Sequence, residues 1–150
     1  MATTGQHDGD EWEVAERADA PTTLRVLLYS DHVETREQVR LAVGSRIGKD
    51  LPPVEWVEVA TPDMVVTTVD AGGLDLLVLD GEAGKAGGIG LCRQVKDEVY
   101  RCPPVLVLIA RPQDAWLASW AQPDAVVSRP LDPIELQQAV AGLLRTARAA

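Results

Sequence analysis

Phenylalanine is absent from this chain, and aromatic residues of all kinds make up only 4% of it. The interior must therefore be aliphatic, with Leu, Val and Ala supplying most of the apolar bulk. Cysteine is almost as scarce. Cys92 and Cys102 lie outside CxxC spacing and away from any histidine, which excludes a zinc or dithiol motif and leaves two reduced, partly buried small residues. No Lys/Arg-rich stripe with interleaved aromatics occurs, and a net charge of -9 repels phosphate backbones, so direct nucleic-acid binding is not expected. The N-terminus lacks a basic region followed by an apolar stretch, and no apolar run reaches the length of a membrane span. The reading is a cytoplasmic protein without a membrane partner.

What remains is the balance of an ordinary globular domain: 46% hydrophobic and 25% charged residues in 150. The organisation is uneven. Residues 1–23 are rich in Asp, Glu, Gly, Thr and Ala and carry too little apolar surface to bury an element, which predicts a disordered acidic tail. Trp12 and Val14 offer the alternative of a short docking element. Residues 24–150 form the domain.

Within that domain strand-like and helix-like segments alternate. Nearly continuous apolar runs predict buried strands over Leu24–Tyr29, Leu74–Leu79, Val105–Ile109 and Ala125–Ser128, and Val54–Val59, carrying Glu55 and Glu58, predicts a more exposed edge strand. Helices are predicted over Val33–Val43, ended by Gly44 and placing Val33, Val39 or the Arg40 stem, and Val43 at helical spacing; from Thr61-Pro62 to Gly72-Gly73; over Ile89–Val99; over Pro112–Ala121; and from Asp132-Pro133 to about Arg148. Five strands alternating with five helices imply right-handed crossovers and a doubly wound parallel sheet covered on both faces.

Two carboxylates stand at strand ends. Asp80 follows Leu76-Leu77-Val78-Leu79, and Asp31 follows the first strand after Ser30, while Arg129-Pro130 follows the fifth. In an open α/β sheet the carboxyl ends of the strands converge on one cleft. Paired carboxylates suit Mg²⁺, which takes oxygen ligands, keeps several waters and is usually completed by a phosphate. The pattern reads as acid, acid and base around a metal and a phosphoryl group. An acid ending the most buried strand is costly without a partner, which favours function for Asp80 over a loop cap. Asp31 also suits the N-cap of the helix from Val33, and Arg129 suits a plain salt bridge to Asp80 as well as a phosphoryl contact. His32 reads as an exposed first-turn residue.

Other motifs fail on spacing. Gly84-Lys85-Ala86 lacks the hydroxyl residue and upstream glycine of a P-loop, Gly88-Ile89-Gly90 has Arg93 in place of a third glycine, and no GxSxG elbow exists. A flavodoxin-like flavin site in the same cleft is a weaker alternative, because Ser30-Asp31-His32-Val33-Glu34 is acidic where a flavin phosphate would bind.

From Leu24 to about Arg148 the chain resembles the receiver domains of bacterial two-component response regulators. Asp80 matches the family's phosphoacceptor, Ser30-Asp31 its acidic pair with one acid lost, Arg129-Pro130 its Lys-Pro pair and Gly88 its loop glycine. The resemblance implies a flavodoxin-like (CheY-like) five-stranded fold and weak Mg²⁺ held by Asp31, Asp80 and the backbone carbonyl of Glu82. It further implies phosphoryl transfer to Asp80 with Arg129 on the phosphoryl oxygens, and a cis bond before Pro130. A sensor histidine kinase or a small phosphodonor would supply the phosphoryl group, and no turnover of a substrate is implied. Two family features are replaced: the hydroxyl residue ending the fourth strand by Ile109, and the aromatic switch three positions before the Lys position by Val126. The expectation is an atypical receiver, with no effector domain following, that relays a two-component signal by protein contact. A phosphorylation-independent pseudo-receiver is the alternative. Trp116 and Trp120, four apart on the short fourth helix, share a face that is either core or the surface for a downstream protein or a homodimer.

Overall fold

The computed structural model describes residues 23–83 and 87–149. The tail lies outside the described residues, as does its Trp12–Val14 alternative, apart from Thr23.

Ten main elements follow in strict alternation: β1 (Leu24–Tyr29), α1 (Val33–Val43), β2 (Val54–Val59), α2 (Pro62–Ala71), β3 (Leu76–Asp80), α3 (Gly87–Glu98), β4 (Val105–Ile109), α4 (Ala115–Ser119), β5 (Ala125–Ser128) and α5 (Pro133–Ala149). The strands form one parallel sheet in the order β2-β1-β3-β4-β5. β2 is an edge, as Glu55 and Glu58 indicated, while β3 and β4 are buried along their whole length.

The two-residue period of a strand sorts these side chains into two cores. Leu27, Tyr29, Leu77, Leu79, Val105 and Val107 face Val65 and Val69 of α2, Leu91 and Val95 of α3, and Ala118 of α4. Val26, Leu28, Leu76, Val78, Leu106 and Leu108 face Val39 and Val43 of α1 and Leu136, Val140 and Leu144 of α5. With no phenylalanine, Leu and Val at this alternation fill both layers. Thr61 begins α2 as anticipated, its hydroxyl accepting the Met64 amide at 3.2 Å.

Three elements and one side chain depart from the sequence reading. β3 begins at Leu76 rather than Leu74, because the Asp75 carboxylate takes the Arg25 amide at 2.8 Å and Asp75 itself donates to the Arg25 carbonyl, so regular pairing starts one residue later. α3 starts two residues earlier, at Gly87, and ends at Glu98. The stretch from Pro112 is a 3₁₀ turn, Pro112–Asp114, running into the five-residue α4 and then turns rather than one helix to Ala121. Val33 is 56% exposed, the inner face of α1 being carried by Thr35, Val39 and Val43.

Candidate phosphoacceptor site

The strand order reverses between β1 and β3, so the carboxyl ends of these neighbours open the cleft where ligands bind in such sheets. The same two-residue period that sorts the cores places the side chains there. Ser30 continues the face of Leu28, Asp80 that of Val78, and Arg129 that of Val127, so all three turn toward the α1 and α5 layer. They meet. Ser30 Oγ donates to Asp80 Oδ2 at 2.8 Å, and an Arg129 guanidinium nitrogen donates to Asp80 Oδ1 at 3.1 Å. The Glu82 amide donates to Oδ1 at 2.9 Å. Asp80 is fully buried, whereas the Arg129 side chain keeps 27% of its surface. A buried carboxylate is tolerated here because a cation and two further donors satisfy it.

Ser30 has a second task. Its Oγ accepts the His32 amide at 3.1 Å, and its carbonyl accepts Arg36 at 2.6 Å. Arg36 also pairs with Glu58 at 3.0 Å, and Arg40 reaches the same carboxylate at 2.9 Å. The β1–α1 turn is thereby tied to the edge strand. Sequence reasoning missed this role for Ser30, treating it only as a lost acid, and missed Arg36 altogether. Continuing the Leu24, Val26, Leu28 alternation by one step would have pointed Ser30 at Asp80.

Asp31 lies on the opposite parity, with a half-exposed side chain 3.6 Å from His32. It does not cap α1: the N-cap position is His32, with no side-chain capping bond. His32 is exposed, as expected. Burial pushes the Tyr29 phenol above its ordinary range, and the negative charges of Asp31 and Asp80 add to this, so both carboxylates act on one buried phenol. The Arg129-Pro130 bond is cis.

The family's hydroxyl position holds Ile109, which is buried in the core shared with α3 and α4. Glu82, Ile89, Ile109, Ala110 and Leu117 border a cavity of about 290 Å³ between the site and α4. Val126 packs, half-buried, against the same core. On the other side of Arg129 a groove of about 530 Å³ runs between Leu41 of α1 and Pro130 and Leu131 before α5.

The oxygen donors fit a hard cation sparingly. A carboxylate offers about four lone-pair positions, and Ser30, Glu82 and Arg129 take up three of those on Asp80. With Asp31 and the Glu82 carbonyl, the donors that the resemblance names are two carboxylates and one carbonyl. Among the described residues no cluster of three or more His, Cys, Asp or Glu side chains stands where it could hold a metal. Such a set suits an ion that keeps most of its waters.

Trp116 and Trp120 are not core residues. They are 75% and 56% exposed, with Leu117 beside them at 46%. Arg93 of α3 stacks over the Trp120 ring at 5.3 Å and donates to its carbonyl, fixing that indole in place.

No protein-family model matches the chain. An uncharacterised response regulatory protein of Mycobacterium tuberculosis, found in strains H37Rv and CDC 1551, is 54% identical over 127 residues, which span 85% of this chain and 96% of the relative. Among solved structures, a signal receiver domain of a signal transduction histidine kinase from Syntrophus aciditrophicus superimposes with a TM-score of 0.71 at 19% identity, covering 85% of this chain and 95% of its own. The response regulator TrrA from Thermotoga maritima, in complex with Mg²⁺-BeF, gives 0.68 at 22%, covering 81% and 100%. The fold is the flavodoxin-like receiver fold. The chain belongs to the response regulators of two-component systems, as a receiver domain. No helix among the described residues is long and apolar enough to cross a membrane.

Proposed function

We propose that this receiver is an atypical response regulator: it is phosphorylated on Asp80 and passes its signal on by protein contact. The observation that supports this most is the pairing of a fully buried Asp80 at the carboxyl end of β3 with the Arg129 guanidinium, 3.1 Å away at the end of β5. Asp80 Oδ would attack the phosphorus of a histidine kinase's phosphohistidine or of a small acyl phosphate, forming an O–P bond as the P–N or P–O bond breaks and the imidazole or the donor's carboxylate leaves. The Arg129 guanidinium, freed from the carboxylate, would take the phosphoryl oxygens, and the Glu82 amide and Ser30 hydroxyl would orient the nucleophile. Positioning and charge neutralisation carry most of such transfers. Asp31, Asp80 and the Glu82 carbonyl would hold Mg²⁺, which supplies charge neutralisation at the transferring oxygens. The chemistry ends on the protein's own carboxylate, so no substrate is turned over. A donor protein reaching Asp80 must cover Arg129 and the neighbouring groove along α1. A flavin reading is not favoured, since the β1–α1 turn presents Asp31 and Glu34 where a phosphate would sit.

The metal site carries a direct consequence. Ser30→Asp places a second carboxylate against Asp80, which raises repulsion in the metal-free protein and adds an oxygen ligand for the cation. Its melting temperature is expected to fall without Mg²⁺ and to rise more steeply with added Mg²⁺ than that of the wild type, as linkage requires for tighter binding to the folded state. Equal Mg²⁺ responses would mean that position 30 does not face the metal.

The output side is muted. Ile109 cannot donate to a phosphoryl group and Val126 has no ring to turn, so phosphorylation has little differential contact with two states of the α4 and β5 face. Trp116 and Trp120 would then present their surface to a downstream protein or a second copy regardless of phosphorylation. Heteronuclear NMR with beryllofluoride and Mg²⁺ is expected to shift residues around Ser30–His32, Asp80–Ala83 and Arg129. Large shifts across Pro112–Ser128 would overturn this reading of the output.

A further inference from the structure

At the opposite end of the sheet from Asp80, cations collect in a chain that is otherwise acidic. Arg46 and Lys49 in the α1–β2 loop and Arg145 and Arg148 near the end of α5 surround one carboxylate, Asp50. Arg145 grips Asp50 through two bonds of 2.7 and 3.0 Å. Arg46, Lys49 and Arg148 make no ion pair among the described residues, and they rim a cavity of about 360 Å³ floored by Leu51, Pro52 and Pro53. The Asp50 carboxyl is held below the usual carboxylate range, chiefly by its Arg145 bond, with the charge of Arg148 adding to it.

The chain enters the domain at this corner. Leu24 pairs with Val54 across β1 and β2, and its amide donates to the Pro53 carbonyl at 2.8 Å, so the residues before Leu24 start beside the wall of the cavity. Those residues carry Asp8, Asp10, Glu11, Glu13, Glu16 and Asp19 against Arg17 alone. Asp19 lies four residues before Thr23, a reach of up to roughly 14 Å, and Glu16 lies within about 25 Å. The remainder of the protein is itself net negative, with 17 acidic against 13 basic residues from position 23 onward. An acidic segment is therefore attracted only where cations cluster locally, as they do at this corner. Tethering raises the local concentration of the segment to the millimolar range, where weak multivalent pairing is sufficient.

We propose that the acidic segment preceding Leu24 docks onto the basic corner formed by Arg46, Lys49, Arg145 and Arg148 of its own chain.

The chain has three lysines, Lys49, Lys85 and Lys96, so a zero-length carbodiimide cross-link reports the contact by position. Full-length protein, mixed as isotopically light and heavy copies, is treated and mapped by mass spectrometry. The expected product is an amide between Lys49 and Glu16 or Asp19 within one copy. Its yield should fall roughly fivefold in about 0.5 M salt, where charges are screened beyond a few ångströms. The same loss is expected in the double variant Arg46→Glu and Arg148→Glu, with Arg46→Gln and Arg148→Gln giving an intermediate yield should the reversal disturb folding. Links to Lys96 in equal yield, links only between copies, or a yield indifferent to salt and to both variants would overturn the proposal.

Discussion

Gly88→Ala is expected to destabilise the domain by about 3 kcal/mol, an overpacking cost at the upper end of the usual range. A Cβ at this position would lie 2.5 Å from the Asp80 carbonyl oxygen, 2.6 Å from its carbon and 3.0 Å from the Gly81 nitrogen. All three are backbone atoms that cannot swing away. Asp80 is paired with Leu108 across β3 and β4, and the Gly81 amide donates to the Leu108 carbonyl at 2.8 Å, so relief would break the sheet at the site itself. The expected signature is a lowered urea midpoint with an unchanged slope. Gly90→Ala is the internal control: it lies in the same helix with nothing within 4 Å of a Cβ, and it should gain up to about 1 kcal/mol from helix propensity. Equal stability of the two variants would mean that the first turn of α3 does not press on β3.

The second large effect concerns the buried charge. Arg129→Met removes the only cation that contacts Asp80 among the described residues and leaves a fully buried carboxylate supported by the Ser30 hydroxyl and the Glu82 amide. Breaking a buried pair by deleting one partner costs about 3–5 kcal/mol. Arg129 keeps a quarter of its surface in water, so a loss of roughly 2 kcal/mol is expected instead, the exposed part of the pair being screened. Asp80→Asn removes the charge and retains the shape, so the same Arg129→Met change in an Asp80→Asn background should cost far less. The cycle is expected to give a coupling of about 1–2 kcal/mol. Additive losses would show that Arg129 stabilises through its packing near Pro130 rather than through Asp80.

Much of this arrangement was legible in the residues. β1, β2, β4 and β5 span the residues that their apolar runs do, each run being broken at one end or both by Pro or by a polar or charged residue: Thr23 and Ser30 around β1, Pro53 before β2, Pro104 before β4, and Asp124 and Arg129 around β5. Asp80 stood out for the same reason: a charge closing the most apolar run needs a partner, and Arg129 is that partner. The contact between them is the salt bridge that the residue types alone also allow. Val33 misled because its spacing fits a buried helical stripe, yet it sits in the first turn at the rim of the sheet, where there is little to pack against. Arg36 was invisible because its function depends on Glu58, brought to it across the sheet edge by the β1 and β2 register. The exposure of the two indoles was undecidable from spacing alone, since a helix of five residues has no second turn to show which face is inward.

The central claim is that Asp80 accepts a phosphoryl group, and intact-mass spectrometry after incubation with acetyl phosphate and Mg²⁺ tests it most directly. The expected result is a mass gain of one phosphoryl group in the wild type and none in Asp80→Asn. A gain that persists in Asp80→Asn would place the modification elsewhere, and no gain in either protein would contradict the account and leave a receiver fold that works without phosphorylation.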